Sequence, residues 1–381
     1  MSMRFTCSRP KLAEVTALVG QAVSGKSTKK IFECLRLVAN ETGLEIAGTD
    51  LEVAVRHRLN PIAGENDPVN LEIAETGTAV VPAALLAGLL REIGDERVTV
   101  SMAKQKLTLE ADGGRFELEC EDPAQYPEIP EFPAEATGKV AAEDLRMLVR
   151  RTIFATGKEA ARFVLNGVRV AAEESALRFV GCDGRRLAIL ARPLERTGGG
   201  QDVSIVGVKG LQHFERASAA AVGAVEMAIT DRFVAVRTDT ASGSTVVTAR
   251  VLEGTFPDYG PILPKDDLIA GVATVSVSLL ASRLRQVGQF TGVQSQAVVL
   301  NFQPGELTLS AAGSDGRGDA RLAIDYDGPE TKVGFNPAYL LDALKVVDDE
   351  SIRFSVTGQN SAAKIEDENG FVYVVMPVLI D

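Results

Sequence analysis

The stretch LEIAGTD at residues 44–50 is an apolar run that closes on small residues and an aspartate. It recurs as LRFVGCD at 177–183 and as LTLSAAGSD at 307–315, and the aspartates fall 133 and then 132 residues apart. Self-similarity of this kind marks repeated structural units. Working outward, each copy opens with a strand-like run and an amphipathic helix. The first helix carries Leu12, Val15, Leu18, Val19 and Ala22, the second Leu145, Leu148, Val149 and Ile153, and the third Leu280, Leu284 and Val287. After the aspartate a second helix follows a strand that turns at its end, in AVVPAALLAGLLREI, IVGVKGLQHFERA and VGFNPAYLLDALKVV. The turns at Pro82, Val208 and Pro337 recur after 126 and 129 residues. Alternating strands close the copy, as in RVTVSMAKQKLTLEADGGRFELEC, with terminal prolines at 127, 257 and 377.

Each unit therefore reads as two helices and several antiparallel strands, an α+β domain used three times. The proline-rich stretches DPAQYPEIPEFP and FPDYGPILPKDD place the boundaries, giving domains at 1–134, 135–257 and 258–381. The length of 381 residues fits two or three domains, and 45% hydrophobic with 24% charged residues describes globular chains with ample core material. The longest apolar stretch, Ala79 to Leu90, falls short of the roughly 20 residues that span a bilayer. MSMRFTCSRP lacks an apolar signal region, so a cytoplasmic location and no membrane partner are expected.

Cys7, Cys34, Cys120 and Cys182 lie far apart with no C-x-x-C, and the histidines are His57 and His213 alone. Buried thiols are expected, with no metal, no cofactor and no catalytic Ser-His-Asp or Cys-His arrangement. One motif points elsewhere: Gly20-Gln-Ala-Val-Ser-Gly25-Lys26-Ser27 is a literal G-x-x-x-x-G-K-[ST] match. A phosphate loop follows a strand and opens a helix; here KLAEVTALV has helical period and IFECLRLVA reads as a strand. The order is reversed. A phosphate-loop NTPase is the alternative function, and this order argues against it. A three-domain adaptor without catalysis is a further reading.

The chain resembles the bacterial sliding clamps from Met3 to its C-terminus. MRFTCSR, GTDLEVAV, FVLNGVRV, CDGRRLA, TFPDYGPILPK, GFNPAYLLDAL and YVVMPVLI carry the likeness in order. The resemblance implies a head-to-tail homodimer whose six domains form a closed ring, with helices lining the hole and sheets outside. It implies a non-enzymatic processivity factor that encircles duplex DNA and tethers the replicative polymerase α subunit, the clamp loader and other proteins bearing a clamp-binding motif. Such a ring accounts for the charge. Residues 9–30, 142–162 and 278–296 sum to +4, +2 and +2 in a chain of net −12, leaving −20 elsewhere. A basic lining would hold phosphate loosely without reading bases, and an acidic exterior would repel DNA.

The expected DNA contacts are Lys26, Lys29 and Lys30 on the glycine-rich loop, Arg150, Arg151, Lys158 and Arg162 in the second copy, and Arg283 and Arg285 in the third. Arg91, Lys209 and Arg216 on the second helices are further candidates. By resemblance, partner peptides enter an apolar pocket formed by Leu165, Cys182, Gly184, Arg185, Arg186, Leu187, Pro257, Ile262, Val374, Val375, Met376, Pro377 and Val378. Each apolar residue of that set would serve equally as plain core; their run at a chain end favours the pocket. Two departures bear on peptide preference: Gly260-Pro261 stands where the family often has an arginine, and the ending is MPVLI with one extra residue, Asp381. The resemblance puts Phe116 and Leu118 on a dimer-forming edge strand, with Phe290 as their counterpart.

Overall fold

The computed structural model describes residues 2–61, 69–158, 160–199, 202–221, 223–240, 243–292 and 297–380, with residues 160–162 in backbone only. Six α-helices occur among them: α1 (Arg9–Gly20), α2 (Ala83–Glu92), α3 (Ala142–Thr152), α4 (Val208–Ser218), α5 (Val277–Val287) and α6 (Pro337–Leu344). The first and last show why they start where they do. Ser8 caps α1 by accepting from the Lys11 amide at 3.4 Å, and Pro10 occupies the first turn, where no N–H is needed. Asn336 caps α6 by accepting from the Ala338 amide at 2.9 Å, with Pro337 at the first helical position. Pro82 and Val208 likewise stand at the starts of α2 and α4. Leu12, Val15 and Val19 form the buried face of α1, as their spacing predicts, while Ala22 is buried just beyond the helix end.

Packing divides the chain into two compact units that differ from the three sequence repeats. One comprises Met1–Arg146 with Leu194–Val251, the other Met147–Pro193 with Leu252–Asp381.

In the first unit, α1 packs on α2. One antiparallel sheet has the order Glu72–Glu75, Met3–Ser8, Arg97–Ala103, Lys106–Ala111, Gly114–Glu119. Met3, Phe5 and Cys7 point to its buried face and alternate with more exposed neighbours. A second sheet joins strands of the first and second repeats: Gly243–Arg250 pairs antiparallel with Val53–Leu59, placing Thr245 opposite His57. α4 lies on this sheet, and Gly210 is needed there because a side chain would collide with Ala249.

In the second unit, α5 packs on α6. A sheet running Gly167–Ala172, Ala176–Cys182, Arg186–Pro193, Val372–Val375, Ala363–Glu366, Ser351–Val356, Gly271–Ser276, Asp325–Asp327 joins the second repeat to the third. The join is antiparallel, with Leu187 opposite Val374. A smaller sheet has the order Gly316–Ala323, Glu306–Gly313, Val298–Gln303, Thr331–Phe335.

Candidate functional site

The pocket set is built around the join between Arg186–Pro193 and Val372–Val375. Alternation sends Leu187 and Val374 to one face, where they cluster with Leu165, Val180, Cys182 and Ile189; Phe256, Tyr259 and Leu263 flank them. Val375 points to the opposite face and is fully buried, so it is core rather than pocket wall, a correction that the strand period explains. Beside this cluster a cavity of about 250 Å³ is lined by Thr156, Gly157, Lys158, Leu165, Asn166, Asp183, Arg185, Arg186 and Tyr339.

The turn CDGRRL supplies one wall of the cavity through Asp183, Arg185 and Arg186. Gly184 takes φ +86°, a left-handed conformation suited to glycine, and the Asp183 carboxylate accepts from the Arg185 and Arg186 amides at 2.9 and 3.0 Å. Arg186 is then fixed from every side. It donates to Asp183 at 3.0 Å, to Asp342 at 2.6 Å and to the Phe154 carbonyl at 2.8 Å, between the Phe154 and Tyr339 rings. The Met376 amide donates to the Arg185 carbonyl at 2.8 Å and the Val378 amide to Gly334 at 2.8 Å, anchoring the terminal segment. Met376 (42%) and Ile262 (37%) stay exposed, Pro257 is exposed, and Pro377 and Val378 are half-buried.

Of the basic candidates, Lys26, Lys29 and Lys30 are all exposed after α1. Their loop is not a phosphate cradle. The Ser24 amide donates to Phe32 and the Ser27 amide to the Glu33 carboxylate at 2.6 Å, so N–H groups that would meet phosphate are taken. The segment runs helix, loop, then strand Cys34–Asn40, the reverse of the phosphate-loop order. In the second repeat, Arg151 is 0% exposed and paired with buried Asp367 and with Asp348. A guanidinium so enclosed cannot meet a phosphate; the helix spacing that puts Arg150 and Arg151 in sequence turns only one of them outward. Arg150 is exposed but paired with Asp348. Lys158 stands on the cavity rim. The Arg162 side chain lies outside the described residues. Arg283 donates to the Arg321 carbonyl at 3.2 Å and to Gln286 at 3.0 Å, and Arg285 is exposed. Arg91 and Arg216 are exposed, while Lys209 is paired with Asp50.

Gly114–Glu119 is the last strand of its sheet, as expected of an edge, but its two apolar residues differ. Leu118 is 1% exposed and belongs to its own sheet's core, leaving half-buried Phe116 as the side chain a partner can reach. Phe290, 37% exposed, lies on the edge strand Gly316–Ala323, and a side chain at Gly318 would collide with its ring.

Three models of one family tile the chain: DNA polymerase III beta subunit, N-terminal domain over residues 3–130, central domain over 139–258 and C-terminal domain over 261–379. The chain belongs to the DNA polymerase III beta subunit family. The beta sliding clamp of Pseudomonas putida KT2440 is 29% identical over 385 residues, covering 99% of this chain and 100% of that one. A crystal structure of the Pseudomonas aeruginosa beta subunit superposes with a TM-score of 0.89 at 27% identity, covering 99% of this chain and 100% of that one. Another, of the Pseudomonas aeruginosa clamp bound to griselimycin, gives 0.89 at 27% over 100% of both chains. The Bacillus subtilis clamp, at 0.93 and 22% over 100% of both chains, bears on the fold alone. The fold is thus the three-domain DNA clamp, and the function that of a sliding clamp: a processivity factor, not a catalyst. Among the described residues no helix is long and apolar enough to cross a membrane.

Within this beta-subunit framework, sequence reasoning missed Thr156, Gly157, Asn166 and Tyr339 as cavity wall and Asp342 as the anchor of Arg186. GFNPAYLLDAL reads as a helix, and its period places Tyr339 and Asp342 three apart on one face. No pattern connects that face to CDGRRL. The histidines and thiols lie outside this chemistry. Burial holds His57 and His213 down at about 4 and pushes Cys7 up to about 12 and Cys34 and Cys120 to about 11.

Proposed function

We propose that two copies of this chain close head to tail into a ring around duplex DNA in the bacterial cytoplasm. Three domains per chain, at 1–134, 135–257 and 258–381, give the ring its six-part wall. The gaps between the matched family regions, after 130 and after 258, support those boundaries. Lys26, Lys29, Lys30, Arg283 and Arg285 supply diffuse phosphate attraction, with Arg150 in exchange for Asp348. Sequence reading would defeat sliding, and charge-dominated contact is what such a set of exposed cations provides.

The observation that carries the tethering role is the open cavity beside Leu165, Cys182, Leu187 and Val374, next to exposed Met376 and Ile262. It is the place for short peptides of the replicative polymerase α subunit, the clamp loader and other partners. A related clamp has been crystallised with griselimycin bound, which supports ligand capture by the family. Apolar side chains entering it gain about 25 cal/mol per Å² buried, before the costs of ordering, so single peptides bind weakly. Two pockets on a ring linked to DNA convert that weak affinity into long tethering through high effective concentration.

Retention on nicked circular DNA tests the ring. The protein should stay on the circle through a sizing column and be lost once the circle is cut; equal retention on both forms would refute encirclement. Leu187→Ala with Met376→Ala, or removal of residues 377–381, should abolish binding of a polymerase-derived peptide and leave the dimer intact. Surviving affinity in both would place the peptide site elsewhere.

A further inference from the structure

The open pocket of the second unit has a counterpart in the first, and there the groove is already filled. The two apolar clusters follow one plan 133 residues apart: Phe32, Ala47 and Ala54 stand where the other has Leu165, Val180 and Leu187. The segments that come after correspond as well, Tyr126 with Tyr259 and Ile129 with Ile262. Their surroundings differ. Tyr259 is half-buried and Ile262 exposed, whereas Tyr126 (8% exposed) and Ile129 (4%) are packed with Ile31, Cys34, Ala47, Ala54 and Val80.

Side-chain volume explains the difference. Alanines at 47 and 54, in place of valine and leucine, leave depth for an aromatic ring, and interiors close-pack whatever depth they have. The Tyr126 hydroxyl is shared between the carbonyls of Cys34 at 3.1 Å and Ala47 at 3.3 Å. Arg56, where the other repeat has Ile189, donates to the Ile129 carbonyl at 2.9 Å and pairs with Glu131, and the Arg36 guanidinium lies 5.7 Å from the centre of the Tyr126 ring. An aromatic anchor, an aliphatic one three residues later and a main-chain carbonyl are thus each recognised, as a peptide ligand would be.

We propose that the first unit carries a second peptide-binding groove, formed by Phe32, Cys34, Ala47, Ala54 and Val80, and that residues 125–131 are its built-in ligand. Vacated, the groove takes short peptides with an aromatic residue and an aliphatic one three positions later. The proposal rests on the reading of its counterpart as a peptide pocket. Covalent attachment holds the segment at an effective concentration of about millimolar or more, so free peptides do not displace it and the site stays hidden until the segment is released.

Two buried thiols make the test direct. Cys34 lies in the groove and reports whether the segment is in place; Cys7, in another sheet of the same unit, reports whether the fold is intact. Full-length protein is treated with iodoacetamide, and labelling of each cysteine is followed by mass spectrometry. Tyr126→Ala with Ile129→Ala should raise the rate at Cys34 by roughly ten-fold or more, as the open population grows, and leave Cys7 unchanged. Acetylated, amidated Ser-Tyr-Ser-Ser-Ile-Ser keeps only the two anchors and their spacing. At about millimolar concentration it should slow Cys34 labelling again by about five-fold, by mass action, and Ser-Ala-Ser-Ser-Ala-Ser should not. Protection by a peptide of the native sequence 122–132 alone, or by no peptide, would overturn the proposal and make the segment ordinary core. An unchanged rate at Cys34 would do the same. Where Cys7 labelling rises together with Cys34, Tyr126→Phe decides, since it removes only the hydroxyl contacts. Cys34 released by itself and protected by the anchor peptide then sustains the groove, and any other result refutes it. Leu187→Ala with Met376→Ala on the same background separates the two sites, because it should abolish binding of the polymerase-derived peptide at the open pocket and leave Cys34 protection unchanged. Polymerase-peptide binding that survives that change sinks the reading of the counterpart pocket, while Cys34 protection judges the groove on its own.

Discussion

Two buried side chains make the sharpest demands on stability. His57 accepts or donates one hydrogen bond, from Nδ1 to Thr245 Oγ1 at 2.8 Å, while its Nε2 is buried without a partner. Burial, then Lys11 nearby, holds its pKa down at about 4, against 6.5 for the free side chain. The folded state thus resists a proton that the unfolded chain accepts, so this contribution is intact above pH ~6.5 and is lost between there and pH 4, by up to roughly 3 kcal/mol. His57→Gln should flatten the fall in unfolding free energy between pH 7 and 5, leaving the share of His213, which burial also holds down at about 4; an unchanged slope would show that His57 has no part in it. Arg151 is the second case. Arg151→Met leaves Asp367 buried and unpaired and should cost about 3–5 kcal/mol in urea unfolding, with Arg151→Met plus Asp367→Asn losing less. RR at 150–151 is visible in the sequence, but not which arginine is enclosed. Its partners lie 197 and 216 residues away, and no local pattern records a contact at that distance.

At the level of strands and helices the sequence is far more legible. Period 3.6 finds the buried face of α1, proline and asparagine mark helix starts, and period 2 finds the strands of 97–120, because these signals are written within a few residues of one another. The same alternation limits what it can say at an edge. Phe116 and Leu118 share a face of Gly114–Glu119, and only the structure shows that one is enclosed by its own sheet while the other is half-open. Phe116→Asp should therefore give folded monomers by sedimentation at micromolar concentration with an unchanged circular dichroism spectrum. Leu118→Asp should instead lower the melting temperature markedly, since it buries an unpaired charge. Dimers formed by Phe116→Asp would remove this strand from the interface. The pocket is legible in CDGRRL and the terminal strand, whose apolar runs stand out. The wall supplied by α6 and by Thr156 to Asn166 is not, since their roles depend on where a distant helix comes to rest.

For the molecule as a whole, a net charge of −12 coexists with concentrated cations after α1. Replacing Lys26, Lys29 and Lys30 together by alanine should weaken association with duplex DNA and lower the slope of log K against log salt by about 2 to 3, from roughly 0.9 for each phosphate no longer neutralised. ATP should not be hydrolysed by parent or variant, and turnover abolished by Lys26→Ala would reinstate the phosphate-loop reading. The pairing of Gly243–Arg250 with Val53–Leu59 carries a consequence of another kind. His57 and Thr245 are 188 residues apart, so a ribosome working at about 5–20 residues per second needs roughly ten to forty seconds to deliver the second strand after the first. Throughout that interval Val53–Leu59 presents an open edge of alternating backbone donors and acceptors, the surface on which neighbouring nascent chains pair wrongly. Synthesis, rather than the finished fold, is where this protein is most exposed to aggregation, and slowing translation between residues 60 and 243 should lower its soluble yield unless a chaperone shields that edge.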